Sequence, residues 1–205
     1  MTSTETRPTS ALSDECKEVI ADSVRAILAA VGEDATRDGL QSTPDRVARM
    51  YDELLEGYQT DPEELLNNAL FEVEYDQMVV VKDIEFYSMC EHHMIPFFGY
   101  AHVGYLPTDK VIGLSKIPRL VEMFARRLQV QERMTHQIAE LMGTMINPRG
   151  VGVVIEATHL CAVMRGVKKH HTKMVTSAMI GEFRENVTTR DEFMAHIRHQ
   201  AGNLL

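Results

Sequence analysis

The sequence predicts an α+β fold in which an antiparallel sheet carries a pair of helices, preceded by an N-terminal helical region. Three observations lead there. Apolar residues recur at helical spacing as far as Leu66, β-branched and aromatic runs replace them from Met78, and two pairs of such runs bracket two amphipathic helices. No internal repeat interrupts this order.

Residues 1–13 are rich in Thr and Ser with one proline, and read as a flexible tail. From Asp14, the residues Val19, Ile20, Val24, Ile27, Leu28 and Val31 keep helical spacing until Gly32 supplies a stop. Ser42-Thr43-Pro44 opens a second helix, with Thr43 as cap and Pro44 in the first turn, that runs through Val47, Met50, Tyr51, Leu54, Leu55 and Tyr58. A short helix after Asp61-Pro62 carries Leu65 and Leu66 and closes a helical region over 14–66, leaving 67–205 as the main domain. Met78–Tyr87 and Phe97–Leu106 then form a hairpin-like pair of strands, with Cys90 in the connection. Ser115 opens a helix with Ile117, Leu120, Val121, Phe124 and Leu128 on its inner face. Gln131 opens another, with Met134, Ile138, Leu141, Met142 and Met145 inside, and Asn147-Pro148-Arg149-Gly150 ends it as a turn. Strands are expected at 151–163 and roughly 174–183, and a last helix from about Thr189 to His199.

Composition bounds the function. A chain of 205 residues, 44% hydrophobic and 25% charged, is long enough for one sizeable core and an accessory element. A net charge of −9 excludes general nucleic-acid binding, which needs a basic surface to displace counterions, so an anionic ligand has to be held by a local cluster. No apolar run approaches membrane-spanning length. Three cysteines and a start without an apolar signal core point to the reducing cytoplasm.

The chemistry concentrates in two short segments, Cys90-Glu91-His92-His93 and His159-Leu160-Cys161. Cys90 and His93 can turn onto one ion from a tight turn, and Cys161 from a distant strand supplies a third ligand. Thiolate, imidazole and thiolate suit Zn2+, and three protein ligands leave the fourth tetrahedral position for water. On an extended strand His159 shares a face with Cys161, and so looks toward the same ion. On spacing alone the alternative is a pair of buried apolar thiols or a disulfide. A closed, non-catalytic site in which His92 or His159 is the fourth ligand is a further alternative.

Two other segments carry binding chemistry. Gly113-Leu114-Ser115-Lys116-Ile117-Pro118-Arg119 places a hydroxyl, an ammonium and a guanidinium around a helix N-terminus, which favours an anion, although a plain Ser cap with two solvated cations explains the same residues. Arg165 adds a basic group just past Cys161. Gln131 and Glu132 can serve as a dipole-favoured helix start or can accept and donate along the edge of a heterocycle. His102, His136, His170, His171, His196 and His199 read as surface or packing groups, and the thirteen methionines as core filler.

Taken together, Cys90-Glu-His-His93, Gly113-Leu-Ser-Lys116, Arg127-Leu-Gln-Val-Gln-Glu132-Arg-Met-Thr135, His159-Leu-Cys161 and Met164-Arg-Gly-Val167 resemble the motif set of GTP cyclohydrolase I, collinear from about Thr43 to His199. The resemblance implies conversion of GTP and water to 7,8-dihydroneopterin triphosphate and formate, the entry to tetrahydrofolate or tetrahydrobiopterin. It implies Cys90, His93 and Cys161 as zinc ligands, His92 and His159 as proton-transfer groups with Ser115 among the catalytic residues, and Glu132 with Gln131 on the guanine. Ser115, Lys116, Arg119 and Arg165 would grip the triphosphate and ribose, with Arg46 reaching in from a neighbouring subunit. It further implies the tunnelling fold, ββααββ, over a catalytic domain at 67–205, and a homodecamer of two pentamers with active sites at subunit interfaces. Two other enzymes of that fold, a nitrile reductase of queuosine synthesis and a pterin synthase, are disfavoured by the Cys90/Cys161 pair with its adjacent histidines.

Overall fold

The computed structural model describes residues 12–66 and 69–198. The chain divides into two compact units, Met1–Thr60 and Asp61–Leu205.

In the first unit α1 (Asp14–Ala30) packs along α2 (Thr43–Leu54), burying Ala21 and Ala48, and a 3-10 turn follows at Glu56–Tyr58. The Ser13 side chain caps α1 by accepting from the Cys16 N–H at 3.2 Å. Asp52 joins the two helices: it pairs with Lys17 at 2.9 Å and accepts from the Leu12 N–H at 2.7 Å. Leu12 and Ser13 of the expected tail are therefore held, while residues 1–11 lie outside the described residues. The cap of α2 is Ser42, one position earlier than expected, with no side-chain capping bond; Leu55, at φ −115°, breaks the helix before Tyr58.

The second unit opens with α3 (Pro62–Leu66) and β1 (Leu70–Glu72). Two long strands follow, β2 (Val79–Cys90) and β3 (Pro96–Leu106), then β4 (Lys110–Ile112) and α4 (Lys116–Ala125). A short β5 (Leu128–Gln129) leads directly into α5 (Gln131–Ile146), β6 (Gly150–His159) and α6 (Leu160–Val163). The described chain closes with β7 (Met174–Gly181), α7 (Glu182–Glu185) and α8 (Val187–Arg198); His199, the expected end of the last helix, lies outside it.

β1 and β4 form a small antiparallel pair, and the main sheet has the order β5-β2-β3-β6-β7. Every pairing in it is antiparallel except β5 against β2. The period-2 pattern of β2 buries Ile84, Phe86, Ser88 and Cys90 and leaves Glu85 and Tyr87 exposed. Ile117, Leu120, Val121 and Phe124 of α4 and Met134, Ile138 and Met142 of α5 join that buried set in one core. Each such side chain stabilises by about 1.5–3 kcal/mol through burial. A second cluster joins Leu106 and Val154 to Phe183 of α7 and Phe193 of α8. Gly104 and Gly152 face each other across β3 and β6 to admit those rings: a Cβ at Gly104 would lie 2.7 Å from Phe193, and one at Gly152 2.4 Å from Phe183.

Three further expectations change, all in the second unit. Leu128 is not on the inner face of α4, which ends at Ala125, but in β5. Cys90 is the last residue of β2 rather than part of the loop. The strand expected to run to residue 163 stops at His159, and Leu160–Val163 turns as a helix. Short apolar runs fit either period, and here the helical turn wins.

Candidate active site

β2 ends because the chain reverses at once. The Cys90 carbonyl accepts from the N–H groups of Met94 at 2.8 Å and His93 at 3.3 Å, and the Cys90 N–H donates to the Ile95 carbonyl at 3.0 Å. Met94 takes the left-handed conformation, φ 52°, that lets so short a turn close. The reversal carries His93 back over the strand end, with its Nδ1 3.9 Å from Cys90 Sγ. From the far side, the helical turn after β6 takes Cys161 off the sheet, and the ligand atoms of Cys90, His93 and Cys161 all lie within 4.8 Å of one another. The three form a group that could bind a metal ion.

Both cysteines are free. Burial pushes the Cys161 thiol up from its ordinary value, and the neighbouring Cys90 pushes the same way. Two thiols placed like this become thiolates together only beside a cation, which is the condition a metal ligand set meets. Arg165 closes one side: its Nη1 lies 3.1 Å from His93 Nε2 and donates to the Cys161 carbonyl at 3.3 Å.

His92 is exposed next to the group, its Nδ1 4.0 Å from Cys90 Sγ and its Nε2 4.0 Å from Glu91 Oε1. Sequence reasoning assigned nothing to Glu91 or Arg133, yet they anchor this loop to α5 by an ion pair, and the Arg133 guanidinium holds the Glu91 carboxyl below its usual range. The Glu91 N–H also donates to the Gln129 carbonyl at 3.0 Å, beside the Cys90–Gln129 pairing of β2 and β5. Since Gln129 lies two positions before Gln131, the same short stretch that braces Cys90 delivers the start of α5 to the site.

His159 does not share a strand face with Cys161, because Cys161 is on α6. It is held in another way. Its ring stacks on its cross-strand partner Phe97, centroids 4.5 Å apart and planes 3° from parallel, and its Nε2 lies 2.8 Å from Gln131 Oε1. Burial lowers the His159 pKa, and the Glu132 carboxylate works in the opposite direction. Gln131 is 1% exposed, and its Nε2 donates to the carbonyls of Ile155 at 3.1 Å and Met174 at 3.0 Å and to Thr176 Oγ1 at 3.1 Å. Its amide is thus turned into the protein, while Glu132 is exposed.

The sequence model of GTP cyclohydrolase I matches residues 20–198. The chain belongs to the GTP cyclohydrolase I family. GTP cyclohydrolase 1 of Chlorobaculum tepidum is 59% identical over 173 residues, covering 84% of this chain and 77% of that one. The protein of the same name from Gloeobacter violaceus is 57% identical over 180 residues, 88% and 84% of the two chains. That of Wolinella succinogenes is 52% identical over 186 residues, 91% of this chain and all of its own. As a GTP cyclohydrolase I family member the chain is an enzyme, a hydrolase.

Three further expected residues of this GTP cyclohydrolase I family chain, Ser115, Lys116 and Arg119, lie at the start of α4. Ser115 precedes α4 without a side-chain capping bond, Lys116 donates from Nζ to the Leu65 carbonyl at 2.8 Å, and Arg119 is exposed. Among the described residues no hydrogen bond or ion pair joins these three to Cys90, His93 or Cys161. Arg46 is exposed on α2, in the first unit. No helix among the described residues is long and apolar enough to cross a membrane.

Proposed function

We propose that the chain is a zinc-dependent GTP cyclohydrolase I, converting GTP and water to 7,8-dihydroneopterin triphosphate and formate at the entry to tetrahydrofolate or tetrahydrobiopterin biosynthesis. The observation that carries this reading is the convergence of Cys90, His93 and Cys161 within 4.8 Å. Two thiolates and an imidazole suit zinc, and three ligands leave a coordination position open. Bound there, zinc supplies Lewis-acid activation of water at neutral pH.

The chain's own residues do the rest. His159 donates a proton to nitrogen 7 of the purine, which makes carbon 8 electrophilic, and His92, exposed beside Cys90, is the second proton-transfer group. Glu132 accepts from the edge of the guanine. Ser115, Lys116, Arg119 and Arg165 bind the triphosphate and ribose side, which an acidic protein can hold only through a local cluster of cations. Ser115 also belongs among the catalytic residues.

The tunnelling fold fits the sheet order and the helix pair, and the assembly that goes with it is a decamer of two pentamers with active sites at subunit interfaces. In that assembly Arg46 of a neighbouring subunit reaches into each site. Edge-to-edge joining would also pair the outer strand β7, whose free edge is otherwise an aggregation liability. A reducing cytoplasm, where Cys90 and Cys161 stay thiols, suits the chemistry.

The test is incubation of the purified protein with GTP, assaying formate and, after mild oxidation, neopterin fluorescence, with and without prior chelation. Metal-dependent production of both is expected. Intact GTP with tightly bound zinc would instead favour a closed site with His92 as fourth ligand.

A further inference from the structure

We propose that Gln131 is a positioning residue that locks His159 in the neutral tautomer protonated on Nε2, so that the proton His159 exchanges with substrate moves at Nδ1 alone. The inference rests on His159 being the proton donor proposed above.

The hydrogen-bond network leaves one consistent arrangement. The Gln131 Nε2 faces two backbone carbonyls, Ile155 at 3.1 Å and Met174 at 3.0 Å, which can only accept. Reversing the amide would aim its oxygen at both, so the NH2 end must point there and Oε1 must point at His159. Oε1 also can only accept, and therefore the imidazole nitrogen 2.8 Å away has to carry the hydrogen. The hydroxyls agree. Thr135 Oγ1 donates to the Gln131 carbonyl at 2.7 Å, so in its 2.7 Å contact with Thr176 the Thr176 hydroxyl is the donor, and Thr176 Oγ1 keeps a lone pair for Gln131 Nε2. The two hydrogens of the Gln131 amide are shared among three acceptors, and the other neutral tautomer of His159 would leave the Nε2 lone pair facing Oε1, an acceptor against an acceptor. Stacking on Phe97 fixes the ring plane, and a half-turn about the Cβ–Cγ bond, which keeps that plane, would put Cε1–H in place of Nε2 and lose the bond to Gln131.

The consequence for the reaction is directional. In the proton transfer the Nδ1–H bond of the imidazolium breaks, its electron pair stays on Nδ1, and a new N–H bond forms at nitrogen 7 of the purine. The Nε2–H remains on Gln131 throughout. Gln131 therefore acts on the substrate only through His159, as an orienter of a general acid rather than a contact to guanine.

The zinc-loaded full chain, labelled with 15N-histidine, tests this by long-range 1H–15N spectra without GTP, with His159 assigned by its loss in His159→Asn. The expected result is a neutral ring protonated on Nε2 in the wild type, a mixture of tautomers in Gln131→Met, and a kcat in that variant lower by about ten- to a hundredfold, within what a general acid contributes. Zinc content and KM for GTP should not change. A wild-type His159 protonated on Nδ1 overturns the proposal, and that spectrum decides even if Gln131→Met does not fold. A raised KM with an intact kcat overturns it too, by placing Gln131 on the substrate. The spectrum reads the tautomer without turnover, so a protein that left GTP intact would refute the activity while Nε2 protonation still upheld the lock.

Discussion

Around His159 and Cys90 three groups are bound within the chain: the Gln131 side chain has four partners, Glu91 is paired with Arg133, and the Cys90 carbonyl closes the turn. At the start of α4 the pattern reverses, with Ser115 and Arg119 exposed and only Lys116 engaged, on the Leu65 carbonyl. The contrast matches two kinds of task. Breaking a C–N bond needs groups fixed to a fraction of an ångström before substrate arrives. Holding a polyphosphate needs positive charge at the right distance, and long side chains can gather when the anion comes. The first region is built by the sheet and α5; the second is left for ligand, and in the proposed assembly a neighbour, to complete.

The sharpest way to break this comparison is at the fixed end. Replacing Cys161 with Ala leaves two donors, which hold zinc weakly, so metal analysis should fall from stoichiometric to near zero and formate production should vanish with it. Retention of zinc would mean that Cys161 is a packing thiol and that the 4.8 Å convergence has another origin. His159→Ala comes next in size. It should cost ~10²-fold or more in kcat while zinc content and GTP binding persist, because it removes a general acid and no ligand. Near-normal turnover would detach the stacked, Gln131-bound imidazole from the reaction.

Much of this fixed end was legible in the sequence, and the misses have physical causes. Cys90, His93 and Cys161 are legible because five motifs occur in one order, where a lone Cys-x-x-His recurs by chance, and the two-residue period of β2 places Cys90 on the core face. The path from His159 to Cys161 was misread as strand because Leu160-Cys161-Ala162-Val163 is apolar in either period; the ligand converges only because the chain leaves the sheet there. Glu91 and Arg133 are 42 positions apart, and nothing local to either announces their pairing. Gln131 was legible as a polar residue at a helix start, but its burial is decided by β6 and β7 closing over it, a tertiary fact. The glycines at 104 and 152 likewise make sense only once Phe183 and Phe193 are seen above them.

At the open end the expected effects are smaller and of a different kind. Arg119→Ala should raise KM for GTP by roughly tenfold with kcat and zinc little changed, the signature of lost uniform binding, whereas Ser115→Ala should lower kcat as well, by less than His159→Ala, because Ser115 stands among the catalytic residues. The Arg119 effect should shrink as salt rises, since an exposed guanidinium meets phosphate through screened solvent. Steady-state kinetics at low and high ionic strength checks both. If Arg119→Ala instead lowered kcat as strongly as His159→Ala, that guanidinium would belong to the bond-making machinery and the division between the two regions would fail.

The mildest expected effect separates the stem of the hairpin from its metal-binding tip. The β2–β3 register shifts between Val81 and Ile84, where Asp83 takes φ 57° and its N–H donates to His102 Nδ1 at 3.1 Å. Burial lowers the His102 pKa; Asp83 and Glu156 oppose the shift and Lys82 adds to it. With the folded value below the ordinary ~6.5, the unfolded chain takes up the proton first. Stability is therefore complete above about pH 6.5 and falls as pH drops through the window below it toward the folded value. Protonation at Nδ1 also removes the acceptor that the Asp83 N–H uses, so the bulge loses its pin at the same step. Urea midpoints of the wild type and His102→Gln, compared between about pH 7 and pH 5, should converge as the pH falls, because the variant has no proton to bind. A constant gap would show that His102 is bound no differently in the folded and unfolded chains. A loss of zinc accompanying the convergence would show that the stem and the tip of the hairpin are coupled rather than separate.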